Sequence, residues 1–276
     1  MLSLENHHIT DIYVMVDDNL PVSLPGPGRP AKLTTSEVVT IVLWNILSHT
    51  RQQTLKDVYR WVQRYHQSEF PHLPHYTKFV EACHRSLPAL WYILEQLLVD
   101  NARLRFMDAT MLPVCKLIRA NTHKVAKNIA DFGKNWQGWH YGFKLHASIN
   151  PHGQLAGIAL TPANVHDAQM MPHILNQHTD IAVGDTLYGA SVMRKHIWNN
   201  YGCAIFAPPH HKQKSTFATW WQNQLLSMRS TIESTFDYLK QHLHLISSFP
   251  RSINGYLLHY LRILLGYQCY ALMLGK

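Results

Sequence analysis

Cysteine is scarce in this sequence. The 276 residues include four cysteines, which lie far apart without any C-x-x-C pair. This pattern argues against a disulfide framework and against a cysteine-based zinc site, so we expect four reduced thiols. The first residues, MLSLENHHITDIYVMVDD, carry acids and histidines but neither the basic nor the apolar segment of a secretory signal. The sequence therefore predicts a cytoplasmic protein.

Long hydrophobic runs are almost absent. Only residues 255–274 approach the length that crosses a membrane, and His259, Arg262 and Gln268 interrupt them. A charge in the middle of a bilayer is costly, and a spanning helix needs about 20 predominantly apolar residues. We therefore expect this stretch to be a buried terminal helix, and we expect no membrane partner.

Charged residues are few, at 15% of the chain, whereas hydrophobic residues make up 46%. This composition excludes a disordered or collagen-like chain and provides ample material for a core. Lysine and arginine number 25 against 17 aspartates and glutamates, which gives a formal net charge of +8. The excess suggests a polyanionic partner such as nucleic acid, although many basic proteins bind nothing anionic. Composition leaves both interpretations open.

The first hundred residues carry helical patterns. Thr34 and Glu37 form a T-x-x-E capping box ahead of the apolar run 38–47, which predicts the start of a helix. Further apolar residues recur at spacings of three and four, and the proline- and glycine-rich segment 21–30 predicts a linker. We expect residues 1 to about 100 to be all-helical. Their basic face would contain Arg51, Lys56, Arg60 and Arg64.

The pattern changes near residue 103. A short apolar segment runs into Asp108 as a buried strand would, and we expect the strand to end there. Later segments alternate between the two periodicities, with turn residues between the first two strands. They predict strands at 142–150, 155–161, 181–185 and 204–207, and helices at 193–199 and 222–244. Strands mixed with helices indicate an α/β fold.

Three acids stand at or within these predicted elements: Asp108 and Asp185 at strand ends, and Glu233 inside a helix. Only a fold that brings strand ends and a helix together could unite them. Three convergent carboxylates suit Mg²⁺ or Mn²⁺, and two such ions can assist an in-line phosphoryl displacement. The alternative is that each aspartate is a helix cap or a turn residue, which is the better interpretation of any one alone.

The helix around Glu233 carries the spacing Arg229-x3-Glu233-x6-Lys240. Positions four and seven apart fall on one helical face, so the three side chains form one stripe. Cations beside a metal-binding glutamate suit a phosphate backbone that lies across it. The alternative is an ordinary surface ion pair, which contributes little to stability.

A stretch between Asp108 and the predicted hairpin interleaves cations with aromatic residues. It contains Lys116, Lys124, Lys134, Trp136, Trp139 and Lys144. Such a stretch can bind phosphates while its rings stack on splayed bases. A solvated loop with two core tryptophans is the alternative. A further acid, Asp167, is interpreted as a turn residue in preference to a metal ligand.

Five segments then carry a family resemblance: DAT at 108–110, YGFKLH at 141–146, TPANVHD at 161–167, GDTLYG at 184–189, and the helix from Arg229 to Lys240. In this order they resemble the catalytic domain of bacterial insertion-sequence transposases with a DDE triad. They look most like the insertion sequence 982 family. The resemblance covers about residues 103–270.

The resemblance implies an RNase H-like catalytic domain over residues 101–276, with a mixed central sheet flanked by helices. An all-helical DNA-binding region over residues 1–100 would precede it. Asp108, Asp185 and Glu233 would be the catalytic triad and bind two Mg²⁺ or Mn²⁺ ions. Arg229 and Lys240 would contact DNA, and the basic stretch adds Lys116, Lys124 and Lys144 as candidates for DNA binding.

By the same resemblance, the protein would cleave DNA at the ends of an insertion sequence and join the 3′ ends to target DNA. Its partners would be the terminal inverted repeats of the element and the target DNA, bound by a homodimer at the bacterial nucleoid. Two alternatives remain open at this point. One is a metal-dependent nuclease of the same fold, and the other is a catalytically inert DNA-binding protein derived from a transposase.

Overall fold

The computed structural model describes residues 9–21, 31–48, 54–208, 219–247 and 250–274 of the chain. Apart from Pro21, the predicted linker at 21–30 lies outside these residues, as does Arg51 of the predicted basic face. All four cysteines lie within them and are free thiols, as the sequence predicts.

The chain divides into two compact units. The first comprises Met1–Leu97, Leu243–Leu245 and Phe249–Met273, and the second comprises Leu98–His242, Ile246–Ser248 and Leu274–Lys276. The domain limits of 1–100 and 101–276 stay a prediction. The units differ from them at the carboxyl end, where nearly all of the last helix groups with the amino-terminal helices.

The amino-terminal part of the first unit is helical in its described residues, as predicted. Its helices are α1 (Ile9–Asn19), α2 (Thr35–Leu47), α3 (Leu55–Tyr65), α4 (Tyr76–Arg85) and α5 (Leu87–Leu97). The predicted capping box starts α2: the Glu37 amide donates to Thr34 Oγ1 at 3.1 Å, and the Thr34 amide donates to Glu37 Oε2 at 2.6 Å. These bonds satisfy two backbone donors that the helix itself leaves without a partner.

The second unit is built on a mixed sheet. Its described elements are β1 (Leu104–Pro113), β2 (Asp131–Asn135), β3 (Gly138–Ile149), β4 (Leu155–Pro162), α6 (Met171–Ile174), β5 (Ile181–Val183), α7 (Ser191–Tyr201), β6 (Ala204–Phe206), α8 (Trp220–Ser227) and α9 (Ser230–Asp237). The strand order is β2-β3-β1-β5-β6, and β4 also pairs with β3. Strand β3 is antiparallel to its three partners, whereas β1, β5 and β6 are parallel to one another. This sheet, flanked by helices, confirms the predicted α/β, RNase H-like fold.

The register of the two central parallel strands aligns two aspartates. Phe106 of β1 lies opposite Val183 of β5, and Asp108 and Asp185 each follow two residues later. Side chains two residues apart on an extended chain share one face of a sheet. The two carboxylates therefore project from neighbouring positions on the same face.

Strand β1 does not end at Asp108, so that prediction is wrong. Its antiparallel pairing with β3 runs from Phe106 opposite Ile149 to Pro113 opposite Gly142. Because β3 supplies partners along this whole stretch, the strand continues past the aspartate. Asp108 lies in the middle of β1, just beyond the last residue that pairs with β5.

The predicted continuous helix over 222–244 is interrupted. Helix α8 ends at Ser227, Arg229 precedes α9, and Tyr238–His242 continue as a π-helix. A π-helix closes i→i+5 hydrogen bonds, so its turn is wider than that of an α-helix, and such segments are frequent at functional sites. The spacing from Glu233 to Lys240 therefore crosses two kinds of helix.

A buried arginine of β1 braces the sheet. Arg105 of β1 is 1% exposed, and its guanidinium donates at 2.6–3.2 Å to five acceptors. These are the carbonyl oxygens of Asp100, Ala102, Ala156 and Ile174, and Oδ1 of Asn176. Burial lowers the pKa of Arg105 to about 10, which still leaves it charged at neutral pH. Charge-assisted bonds of this kind tie β1 to β4 and α6.

The last helix, α10 (Ile253–Leu274), is largely buried in the first unit, which confirms the prediction. The polar residues that interrupt its apolar sequence have partners there. His259 Nε2 donates to the carbonyls of His244 and Leu245 at 3.0 and 3.2 Å, and Gln268 Nε2 donates to the carbonyl of Leu97 at 2.6 Å. Within the described ranges, no helix combines the length and the apolar character that a membrane span requires.

Candidate active site

An open cavity of about 890 Å³ brings together the three acids of the predicted triad. Asp108 reaches it from β1, Asp185 from the end of β5, and Glu233 from α9. Asp167 also lines the cavity. We call Asp108, Asp167 and Asp185 the aspartate cluster, because the charges of Asp185 and Asp167 raise the pKa of Asp108 and the charge of Asp167 raises the pKa of Asp185.

Asp108 is held by its own strand. Its Oδ1 accepts a hydrogen bond from the backbone amide of Ala109 at 2.8 Å. The pKa of Asp108 is raised to about 6, chiefly by burial and also by the charges of Asp185 and Asp167, although the Ala109 amide and Arg229 act in the opposite direction. The site therefore holds this carboxylate in surroundings that disfavour its charge.

Asp185 is a cap residue, as the alternative interpretation predicts. It caps a 3₁₀ turn, Thr186–Gly189, because its Oδ1 accepts from the Leu187 amide at 2.9 Å. It also lines the cavity. Burial raises its pKa, and the charge of Asp167 adds to this effect. The cap fixes the orientation of a carboxylate that is available to a ligand.

Asp167 lies at the start of a 3₁₀ turn, Asp167–Met170, as the turn interpretation predicts. Lys144 Nζ donates to Asp167 Oδ1 at 2.9 Å and to the Val165 carbonyl at 2.8 Å. The Lys144 side chain is only 11% exposed. This placement suits a structural ion pair better than the predicted DNA contact of Lys144.

Glu233 and Arg229 form the ion pair that was the alternative interpretation of their spacing. Arg229 Nη2 lies 2.5 Å from Glu233 Oε1, and the side chains are 28% and 49% exposed. Both side chains line the cavity, as does Lys240. Burial lowers the pKa of Lys240, whereas the charges of Asp237 and Asp108 raise it. The stripe thus faces the aspartate cluster despite the break in the helix.

A hairpin that the sequence did not predict forms another side of the cavity. Strands β2 and β3 meet at Trp136 and Gln137, and Trp136 and Trp139 are 89% and 55% exposed. Lys134 Nζ lies 5.8 Å from the centre of the Trp139 ring. The interpretation of these tryptophans as core residues is therefore wrong. We call Lys134, Trp136, Trp139, Arg229 and Glu233, all of which line the cavity, the exposed wall.

A local signal for this hairpin exists in the sequence. Gly138 has a φ of +118°, which favours glycine, and it directly follows the turn. Strand β2, DFGKN, is short and polar, so its alternation is too weak to identify it.

The predicted DNA contacts Lys116 and Lys124 lie between β1 and β2, where both are exposed and neither lines the cavity.

Residues 99–253 match the protein-family model described as Transposase DDE domain, which is more than half of the chain. The chain belongs to this family. A search among curated proteins found no match. The matched residues include all six described strands and α9, so the DDE transposase domain contains the entire cavity lining described above.

DDE transposase domains generally use divalent metal ions, and the donor set here suits such an ion. Carboxylate oxygens are the ligands that Mg²⁺ and Mn²⁺ prefer. The desolvated, mutually repelling Asp108 and Asp185 would be relieved by a cation. Among the residues that the structure describes, no three His, Cys, Asp or Glu side chains already form a group that could hold a metal. The Glu233 carboxylate is instead paired with Arg229.

Proposed function

We propose that this protein is the transposase of a bacterial insertion sequence, most like those of the insertion sequence 982 family. It cleaves DNA at the element ends and joins the 3′ ends to target DNA by phosphoryl transfer with two Mg²⁺ or Mn²⁺ ions. Asp108, Asp185 and Glu233 are its catalytic and metal-binding residues. The observation that carries the proposal is the β1–β5 register, which sets Asp108 beside Asp185 in a cavity that Glu233 also lines.

Divalent cations at these carboxylates would supply an activated oxygen nucleophile and neutralise charge on the leaving oxygen. The protein contributes orientation. Amides of Ala109 and Leu187 fix one oxygen of Asp108 and of Asp185, so both side chains are positioned before DNA arrives. Because water or a DNA 3′-hydroxyl attacks phosphorus directly, no serine or tyrosine nucleophile is required.

The exposed wall and Lys240 are suited to DNA. Arg229 and Lys240 place positive charge beside the aspartate cluster, where a phosphate backbone would otherwise be repelled. Exposed rings can stack on bases that leave the duplex near the cleavage point, and Lys134 can contact the adjoining phosphate. The exposed lysines Lys116 and Lys124 would extend the contact along the backbone.

Two further features belong to the proposal. Helix α3 carries the exposed cations Lys56, Arg60 and Arg64, which fits a DNA-binding role for the amino-terminal helices. Two element ends must be joined in one event, so we propose that a homodimer holds both ends.

The test is an in vitro reaction with a labelled element end and a supercoiled target plasmid. With Mg²⁺ or Mn²⁺ we expect labelled, nicked or linearised plasmid that carries the joined end, and after EDTA treatment we expect none. Calcium should support binding better than chemistry, because its coordination is larger and looser. Joining that persists in excess EDTA would refute the metal mechanism.

The same assay separates the two alternatives. A metal-dependent nuclease of this fold would release cleaved ends without joined product, and an inert DNA-binding protein would shift the labelled end without cutting it. The presence of all three triad acids around one cavity favours an active enzyme over the inert form.

A further inference from the structure

Tyr188 follows Asp185 in the chain and carries a buried hydroxyl that is not used in a hydrogen bond with any described residue. It belongs to the 3₁₀ turn Thr186–Gly189, and its side chain is fully buried. Within the described part of the chain, its hydroxyl has no hydrogen-bond partner. A buried hydroxyl without a partner costs free energy, and phenylalanine would fill the same space without that cost. The hydroxyl therefore requires an explanation.

The ring of Tyr188 packs with residues that are directly next to the three aspartates in the chain. It packs in one buried cluster with Met107, which precedes Asp108, and with Ala168, which follows Asp167. It also lies against Gly184, which precedes Asp185: a Cβ on that glycine would come within 2.6 Å of the ring. Gly184 is thus needed to admit the ring. The packing therefore fixes the ring beside the residues that adjoin the three aspartates.

The electrostatics agree with this placement. Burial raises the pKa of Tyr188, and the charges of Asp167, Asp108 and Asp185 raise it further, with Asp167 contributing most among the three. The phenol therefore keeps its proton and can only donate to these carboxylates. Next to Asp167 a second buried atom, His146 Nδ1, is also without a hydrogen bond among the described residues and lies 3.7 Å from Asp167 Oδ1.

We propose that Tyr188 is a positioning residue whose hydroxyl, unpaired among the described residues of this structure, donates to the aspartate cluster, chiefly to Asp167, when a divalent cation binds, and so stabilises Asp108 and Asp185 as ligands of that cation. The inference rests on the proposed function, because it assumes that the cluster binds the cation. Asp167 then acts one step away from the cation, between Tyr188 and the two ligands. Outer-shell partners of this kind orient ligands and are worth about 10- to 100-fold in metal affinity.

The test is Tyr188→Phe in the full-length protein, with Mn²⁺ affinity measured from the EPR signal of free Mn²⁺. We expect about tenfold weaker binding, together with an unchanged or slightly raised melting temperature in the absence of metal. The control is Tyr260→Phe, a buried tyrosine of α10 whose pKa is raised by burial and by Tyr256. It should leave Mn²⁺ affinity unchanged. Wild-type Mn²⁺ affinity in Tyr188→Phe would overturn the proposal.

A second variant approaches the same contact from the acceptor. Asp167→Asn should also weaken Mn²⁺ binding, and the double variant should lose less than the product of the two single losses, because both act through one contact. If Tyr188→Phe does not fold, an unchanged affinity in Asp167→Asn still overturns the proposal.

Asp185→Asn distinguishes failure of this inference from failure of the proposed function. If Asp185→Asn binds Mn²⁺ as well as the wild type does, the cation site itself is refuted. If Asp185→Asn loses binding while Tyr188→Phe and Asp167→Asn do not, only the role of Tyr188 is refuted. Both outcomes are read without any cleavage assay.

Discussion

In the aspartate cluster, Asp108 and Asp185 accept hydrogen bonds from backbone amides, and Asp167 pairs with the nearly buried Lys144. In the exposed wall, by contrast, the side chains of Trp136 and Glu233 face solvent. The first group is fixed by strand register and local turns. The second is held by one ion pair and by the tip of a hairpin. The difference indicates a preorganised acidic centre beside a wall with fewer fixed contacts, which under the proposed function would adapt to DNA.

The ion pair between Arg229 and Glu233 illustrates this adaptability. Its side chains are 28% and 49% exposed, and exposed pairs contribute only about 0–1 kcal/mol. A cation at the cluster could therefore recruit Glu233 at little cost, which releases Arg229 toward a phosphate. Under the proposed function Glu233 must exchange partners, because its carboxylate is paired with Arg229, whereas Asp108 and Asp185 accept hydrogen bonds from backbone amides.

The largest expected effect is on the cluster. Asp108→Asn and Asp185→Asn should each lower the cleavage rate by more than about 100-fold, the most that outer-shell changes alone reach, while DNA affinity stays nearly unchanged. Each change removes a ligand charge with little change in volume, and asparagine can still accept the backbone hydrogen bond. Cleavage rates and gel-shift affinities check this. If either variant cuts at the wild-type rate, the substituted residue is not part of the active site.

The sequence identified the features of the fold that depend on local patterns. The capping box of Thr34 and Glu37, the β3–β4 hairpin and the strand before Asp185 all follow from neighbouring residues. The continuation of β1 past Asp108 depends on pairing with β3, which is distant in the chain. Long-range pairing of this kind leaves no local signal.

Two cations also have surroundings that the sequence alone does not predict. Arg105 gives no sequence signal of burial, because its five acceptors come from segments that are distant as well as local. Lys144 is indistinguishable in sequence from the exposed lysines around it, and only the fold places Asp167 beside it. The sequence therefore predicts which acids converge better than it predicts which cations are free for DNA.

The next effect concerns the exposed wall. Trp136→Ala should weaken binding of element ends with splayed terminal bases by about tenfold, because stacking on an aromatic ring contributes about 1–3 kcal/mol per base. Fully paired duplex of the same length should bind almost as well as to the wild type. Fluorescence anisotropy on the two DNAs measures the difference. Trp198→Ala is the matched control, since Trp198 is 59% exposed on α7 and is not part of the cavity lining.

If Trp136→Ala weakens both DNAs equally, the ring contributes to general surface contact and the stacking role is wrong. If neither DNA is affected, the hairpin tip does not contact DNA at all. Either result would also weaken the contrast between a preorganised cluster and an adaptable wall, because the wall would then lack a ligand of its own.

A third effect concerns protein stability, which tests whether the ionised Asp108 carboxylate destabilises the folded state. The pKa of Asp108 is about 6 in the folded protein, above the ordinary value of 3.8, so the folded state binds a proton more tightly than the unfolded chain does. The free energy of unfolding therefore falls as pH rises through this interval. Asp108→Asn should raise the melting temperature of the metal-free protein at pH 7 by roughly 5 °C.

Melting curves at several pH values check this expectation. The advantage of Asp108→Asn should shrink as the pH falls from 7 toward 4, because the wild-type carboxyl then becomes neutral as well. Asp180→Asn is the control: Asp180 is 51% exposed and pairs with Arg103, so its loss should bring no stabilisation. An equal melting temperature for Asp108→Asn and the wild type at pH 7 would show that the ionised Asp108 carboxylate does not destabilise the folded protein.

The smallest expected effect concerns Lys240, which lines the same cavity as both groups. It is half-buried and its pKa responds to Asp108, so it could either contact phosphate or only balance the cluster. If it contacts phosphate, Lys240→Ala should lower the slope of log affinity against log salt by about one unit on element-end and random duplexes alike. This corresponds to about a fourfold smaller loss of affinity between 50 and 200 mM salt. Lys195→Ala, at an exposed position of α7 outside the cavity lining, is the control. An unchanged slope on both duplexes would show that Lys240 balances the charge of the aspartate cluster and does not bind DNA.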